Sequence, residues 1–318
     1  MLSYVSNYKL LLLLTLQNNL PYEINKSKIT SLIFYIYHFL KLINKNKITI
    51  FQPLKIKKKE YIKMLIDTHA HLNLKTYKNK LDDVFQKAWN NDVKKMIVIG
   101  MDEKTNQKAY EIANKYKEVM VAFGIHPCSD FSQETPESII KYLNHPQTVA
   151  IGEIGLDLHQ RQDNLAVQKK FFQAQVKIAI QYNLPIIIHA RKSFEEIYQL
   201  LLSYRNQVRG VFHCLVFSLE EAKKALELGF YIGIGGVVTY PHAKVAHEIA
   251  KTIPLDKILL ETDCPYLTPY PFQNETNEPY HIKLIAQKIA QLRNISLQCV
   301  ATQTSNNVAK LFLNKNYF

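Results

Sequence analysis

The sequence predicts an α/β fold: a closed (β/α)8 TIM-like barrel in one domain over residues 64–318, with an extra C-terminal helix. Three observations carry this. Eight short runs rich in Val, Ile, Leu and Met recur along that stretch. Amphipathic or helix-sized segments separate them. No linker or shift in composition breaks the region, and its roughly 250 residues are what eight strand–helix repeats occupy.

The strand candidates, in order, are MLIDTH (64–69), KKMIVIG (94–100), VMVAFGI (119–125), TVAIGEIG (148–155), PIIIHA (185–190), GVFHCL (210–215), YIGIGG (231–236) and KILLETD (257–263). Their near-continuous apolar character is that of parallel strands buried on both faces. Helical periodicity marks LDDVFQKAWNN (81–91), AVQKKFFQAQVKIAIQYN (166–183) and SLEEAKKALELG (218–229). In the last of these, Ser218 and Glu221 have capping-box spacing and Gly229 supplies a stop. A doubly wound open sheet would share the alternation, but no GxGxxG follows the first strand. SLQCVATQTSNNVAKLFL (296–313) is expected as a final helix packed outside the barrel.

Residues 1–63 have another character. They contain no Ala, Gly, Asp, Arg, Cys or Trp, and Leu, Ile, Lys, Asn, Tyr and Phe fill 47 of the 63 positions. Turns use glycine, and helices use alanine and acids. The segment reads as a low-complexity extension, disordered or not native, with Met64 as the expected start. It also distorts the charge. The whole chain is +13, but this segment holds 11 Lys against 2 Glu, which leaves +4 on the rest. A basic pI is therefore weak evidence for nucleic acid or an anionic membrane. The run SLIFYIYHFLKLI falls short of the ~20 residues of a bilayer span, so no membrane partner is expected. Cys128, Cys214, Cys264 and Cys299 show no CxxC or disulfide-like spacing, which suits a reducing cytoplasm.

A barrel places its chemistry at the C-terminal ends of several strands. Strand one ends in Asp67-Thr68-His69-Ala70-His71, strand three in His126-Pro127, and strand four in Glu153. Strand five ends in His189-Ala190-Arg191, strand six in His213-Cys214, and strand eight in Glu261-Thr262-Asp263. Taken singly, each has a plain explanation. The HxH would be a solvated turn, Glu153 a salt bridge, and His189 or His213 a hydrogen-bonded core histidine. Six strand ends behaving alike favour a divalent metal centre. In His69-x-His71 both side chains of an extended segment point the same way and reach one ion. Glu153 follows an apolar run, where a carboxylate is costly unless paired or coordinating. His145, His159, His242, His247 and His281 fall in loop or helical contexts and read as surface residues. Trp89 reads as part of the core face of the first helix.

The segments LIDTHAHLN, GIHP, GEIGLD, LPIIIHAR, HC, GGVVTYP and LLETDCPYLTP, in this order and spacing, resemble the TatD-like metal-dependent hydrolases, the TatD DNase family. The resemblance runs from about Leu65 to the last helix. It implies a barrel of the metallo-dependent hydrolase type with a binuclear centre of Mg2+, Mn2+ or Zn2+. His69, His71 and Asp263 would hold one ion, His189 and His213 the other, and Glu153 would bridge. It implies a deoxyribonuclease, a 3′→5′ exonuclease on single-stranded DNA; some relatives act on D-aminoacyl-tRNA. Departures fall in the substrate loops. HCLVFS puts Val216 and Phe217 in place of a glycine loop, Cys128 stands where many members have a second histidine, and Thr276 replaces an arginine before Asn277. PFQNETNEP resembles a subgroup with a Phe-Gln segment there.

On this reading a hydroxide activated between two ions attacks phosphorus. Asp263 and Glu153 are the catalytic carboxylates, with Asp263 the proton acceptor. Arg191, His126 and Asn277 are the candidate substrate contacts. Arg191 would pair with a phosphate oxygen, and His126 would touch substrate or orient a ligand. The expected partner is single-stranded DNA or another phosphodiester, with no stable protein partner. The alternative is metal-dependent hydrolysis of carboxyl esters or amides, such as D-aminoacyl-tRNA, because the same nucleophile attacks carbonyls.

Overall fold

The computed structural model describes residues 64–214 and 218–313. The expectations for residues 1–63, and for Val216 and Phe217, lie outside the described residues. Eight parallel strands form one sheet in sequential order: β1 (Leu65–Ala70), β2 (Val93–Ile99), β3 (Val119–Phe123), β4 (Thr148–Asp157), β5 (Ile186–Arg191), β6 (Gly210–Phe212), β7 (Tyr231–Ile234) and β8 (Ile258–Leu260). The helices are α1 (Leu81–Asn90), α2 (Glu103–Lys115), α3 (Leu165–Gln181), α4 (Phe194–Leu202), α5 (Leu219–Glu227), α6 (Lys244–Thr252), α7 (Ile282–Arg293) and α8 (Leu297–Phe312). Between β3 and β4 the chain makes only a 3-10 turn, Pro136–Tyr142.

The barrel closes where its chemistry begins. β8 is short, and the chain beyond it meets β1. Thr68 Oγ1 donates to Leu260 O at 3.0 Å, Asp263 N to His69 O at 2.9 Å, and His71 N to Cys264 O at 2.8 Å. Strand alternation sorts the apolar residues into two layers. Ile66, Ile97, Met120, Ala150, Ile187 and Leu259 fill the barrel interior, whereas Leu65, Val98, Val121, Ile151, Ile188 and Phe212 face the helices.

The Ser218–Glu221 box starts α5 as its spacing predicts, Ser218 Oγ accepting from Glu221 N at 3.2 Å. Gly229 ends the segment with φ +85°, a conformation that favours glycine. α2 starts on a second box, Asp102 Oδ1 accepting from Thr105 N at 2.7 Å. Trp89 is half-buried, packs on the core and stacks on Phe85 with centroids 5.9 Å apart.

α8 departs from the expectation. It packs against β1 and β8, yet it sends Val308, Leu311 and Phe312 into the interior layer. Its first turns pack in the outer layer through Val300 and Ala301, and its last turns stop the lower mouth of the barrel. Polar struts hold it there: Ser305 Oγ donates to Met64 O at 2.7 Å, and Asn307 Nδ2 to Leu255 O and Ile258 O at 2.9 and 2.8 Å. No helix among the described residues is long and apolar enough to cross a membrane.

Candidate metal centre

Glu153, on β4, is the hub of the upper mouth. Its Oε1 lies 2.6 Å from His213 Nε2, 2.7 Å from His189 Nδ1 and 3.6 Å from His126 Nε2. Its Oε2 lies 3.3 Å from His69 Nε2 and 3.7 Å from His71 Nε2. Asp263 Oδ1 faces the same pair, 3.3 Å from His71 Nε2 and 3.7 Å from His69 Nε2. Glycine makes this convergence possible. At Gly155 φ is +152°, and a Cβ would stand 1.9 Å from the His189 carbonyl oxygen. Only glycine lets β4 press on β5 where Glu153 and His189 meet.

Hydrogen bonds at the outer ring nitrogens fix what the inner ones present. His71 Nδ1 is 3.3 Å from Ile99 O, a group that only accepts, so Nδ1 carries a proton and Nε2 is the atom that can ligate. His189 Nε2 is 3.0 Å from Asp157 Oδ2, which holds a proton on Nε2 and makes Nδ1 the atom that can ligate. Such carboxylate–histidine pairs orient metal-ligating imidazoles. The Nε2 atoms of His69 and His71 stand only 3.2 Å apart.

Electrostatics agree with geometry. Burial opposes ionisation of Glu153, but the His213, His126 and His69 imidazoles hold its carboxyl well below the usual range. Burial likewise opposes the Asp263 anion, and the His71 hydrogen bond overrides it. Burial disfavours the His213 cation too, yet Glu153 lifts its pKa to about 10. His69 is pushed down to about 4, chiefly by burial. Carboxylates that stay ionised against their burial favour positive charge between them, which a divalent cation would supply.

The residues fit such ions. Three groups have ligand atoms within 4.8 Å of one another: His69, His71 and Asp263; His69, Glu153 and His213; His126, Glu153 and His189. Imidazole nitrogen with carboxylate oxygen is the donor set of Zn2+ and Mn2+ sites. All six residues of the implied ligand set are gathered here. His126, expected as a substrate contact, joins the Glu153–His189 group.

A cavity of about 890 Å³ opens over the centre, and its wall includes Arg191, Lys192 and Tyr266. Lys192, Cys214, Asp263 and Leu267 on that wall have φ of +55°, +44°, +56° and +52°. Left-handed backbone costs a non-glycine residue about 1–2 kcal/mol. Strain of this kind persists where surrounding structure enforces it, and it gathers at functional sites.

Two expectations need correction. Asn277 does not line the cavity: it is 0% exposed, and its Nδ2 donates to Thr262 O at 2.9 Å and Tyr266 O at 2.6 Å. It is a strut beneath the loop after β8, not a substrate contact. His281 is not on the surface. It is fully buried, its Nδ1 3.1 Å from Asn277 Oδ1. His159 and His242 are exposed, and His145 and His247 are half-buried.

Three carboxylates gained no role from the sequence. Asp157 orients His189. Asp67, fully buried, accepts from Thr262 N at 2.9 Å and from Thr262 Oγ1 at 2.5 Å, tying β1 to β8; burial raises its pKa to about 7. Glu261 accepts from Cys214 N, and burial raises its pKa to about 8. All three stand at strand ends within the motifs. Only distances separate such struts from ligands.

The sequence model of the family described as TatD related DNase matches residues 66–313. YabD of Bacillus subtilis, an uncharacterized metal-dependent hydrolase, is 38% identical over 252 residues, 78% of this chain and 99% of that protein. The 3′-5′ ssDNA/RNA exonuclease TatD of Escherichia fergusonii is 33% identical over 257 residues, covering 78% and 98%. The crystal structure of YjjV, a TatD homologue from Escherichia coli, has a TM-score of 0.75 at 28% identity, covering 79% and 98%. Fold, site and relatives together define a metal-dependent hydrolase built on a TIM-type barrel. Within that class, the chain belongs to the TatD related DNase family.

Proposed function

We propose that the protein is a metal-dependent nuclease that removes nucleotides from the 3′ end of single-stranded DNA at a binuclear centre. The observation that carries the reading is the division of Glu153, with His69 and His71 beside one oxygen and His126, His189 and His213 beside the other. A carboxylate that bridges two cations needs this arrangement. The relative named as a 3′-5′ ssDNA/RNA exonuclease supports the substrate and the polarity.

Bound divalent ions would lower the pKa of water and neutralise phosphate charge. The chain supplies the rest. His69, His71 and Asp263 would hold one ion, and His189 and His213 the other, with Glu153 between. Asp157 keeps His189 in its ligating tautomer. Asp263, kept ionised against its burial, is placed to accept a proton. Arg191, on the cavity wall, would take the non-bridging phosphate oxygens. The four cysteines are free thiols, which supports a cytoplasmic setting. The functional unit on this reading is the barrel from Met64, with residues 1–63 an extension.

The deciding experiment incubates the purified, Mg2+- or Mn2+-loaded protein with 5′-labelled single-stranded DNA and, separately, with D-aminoacyl-tRNA. A ladder shortening from the 3′ end is expected. Deacylation without phosphodiester cleavage would replace this reading with that of an ester hydrolase.

A further inference from the structure

We infer that Tyr266 is the platform on which the unpaired terminal base of the substrate stacks, and so the residue that selects single strands. The inference rests on the nuclease reading. Among the described residues Tyr266 is the most exposed large hydrophobic residue, at 52%. It is also on the wall of the cavity over the metal centre. Its ring centroid is 6.1 Å from that of His71, with the planes inclined at 67°. An aromatic ring ordinarily gains by burying its faces; this one is left half in water beside a ligand.

Its backbone, by contrast, is held firmly. Tyr266 N donates to Asp263 O at 2.9 Å, and Tyr266 O accepts from the buried Asn277 at 2.6 Å. Downstream, Thr268 Oγ1 donates to Glu275 O at 2.9 Å, and Tyr240 Oη to Thr268 O at 3.1 Å. At Gly236 a Cβ would lie 2.0 Å from Leu267 O, so the loop has no room to sink. An exposed ring on a fixed mount loses little freedom when a ligand covers it.

The chemistry of that ligand follows from the ring. A phenol face takes any nucleobase, because every base has a π-face. A paired base can turn its face to the ring only by breaking its pair, whereas an unpaired terminal base leaves the stack at lower cost. Tyr266 lies three residues after Asp263, so a base stacked on it keeps its phosphate near the centre. Arg191 shares the cavity wall. Tyr270, 49% exposed in the same loop, is not on that wall and serves as a control.

The test compares two single strands, one with ordinary 3′-terminal nucleotides and one whose 3′-terminal nucleotides lack bases. Tyr266→Ala is expected to lower kcat/KM on the ordinary strand by about 5- to 140-fold, which is one base–aromatic stack of 1–3 kcal/mol. On the base-free strand it should match the wild type. Tyr266→Phe should retain activity on both. Tyr270→Ala, a surface change, should stay within about twofold. Fluorescence of a 3′-terminal 2-aminopurine should be quenched by the wild type and by Tyr266→Phe but not by Tyr266→Ala, and metal content should be equal in all. Equal losses on the two strands, or no loss on either, would overturn the stacking role and leave the nuclease reading standing. A wild-type protein that cleaves neither strand would overturn the nuclease reading and this inference with it.

Discussion

Asp157→Asn separates ligand from support more sharply than removal of a ligand does. Asp157 Oδ1 accepts from two backbone groups, His159 N and Gln160 N, both at 2.8 Å. Those donors require an oxygen, so the new amide must turn its NH2 toward His189, where Oδ2 stood 3.0 Å from Nε2. His189 Nε2 must then accept. Its proton moves to Nδ1, which points at Glu153 Oε1 from 2.7 Å and no longer offers a lone pair to a cation. Loss of such a supporting group costs 10–100-fold in metal affinity, or about 1.4–2.7 kcal/mol. Volume and both backbone hydrogen bonds are kept, so the fold should hold. Competition against a fluorescent chelator measures the affinity, and circular dichroism checks the fold. Wild-type affinity in a folded Asp157→Asn protein would refute the tautomer argument, and His189 would lose its place among the ligands.

Glu153→Ala should abolish metal binding and turnover together, because one carboxylate serves both halves of the centre; normal metal content by elemental analysis would end the bridging assignment. Arg191→Ala should lower kcat/KM on single-stranded DNA by roughly 10- to 150-fold, the 1.5–3 kcal/mol of a charge-assisted hydrogen bond, with metal content unchanged and a small neutral ester unaffected. Unaltered DNA cleavage would remove Arg191 from phosphate recognition and move the test to Lys192. A chain of residues 64–318 should fold, bind metal and cleave as the full chain does; if it is inactive while the full chain works, residues 1–63 are part of the functional protein.

The barrel was legible because each strand is a short β-branched run, and a parallel sheet buried on both faces leaves no other pattern. The candidate ligands were legible because histidines and acids repeatedly interrupt those runs at the same end. Roles were harder to read. Asp67, Asp157 and Glu261 follow the same rule as Glu153 and Asp263. What makes Asp157 a support is the imidazole of His189 on the neighbouring strand, and what makes Asp67 a tie is Thr262, 195 positions away. Asn277 looked like a substrate contact because it follows a motif-rich loop. Its partners, Thr262 O and Tyr266 O, come into view only once the chain has folded back. His281 was misread for the same reason, since nothing local shows that α7 carries it inward. That the last turns of α8 also close the barrel floor was not legible, because an apolar helix face fits an outer ring and a floor equally well.

That floor has a consequence for synthesis. Chains fold N-terminal first as they leave the ribosome, and Val308, Leu311 and Phe312, which shut the lower mouth, emerge after every metal ligand. A chain that stops before α8 carries every candidate ligand of the upper mouth in its sequence. It still has Ile66, Ile97, Met120 and Ile187 open to water from below. Apolar surface left open in this way makes an incomplete chain prone to aggregate. The last helix is thus what lets the finished chain cover that surface.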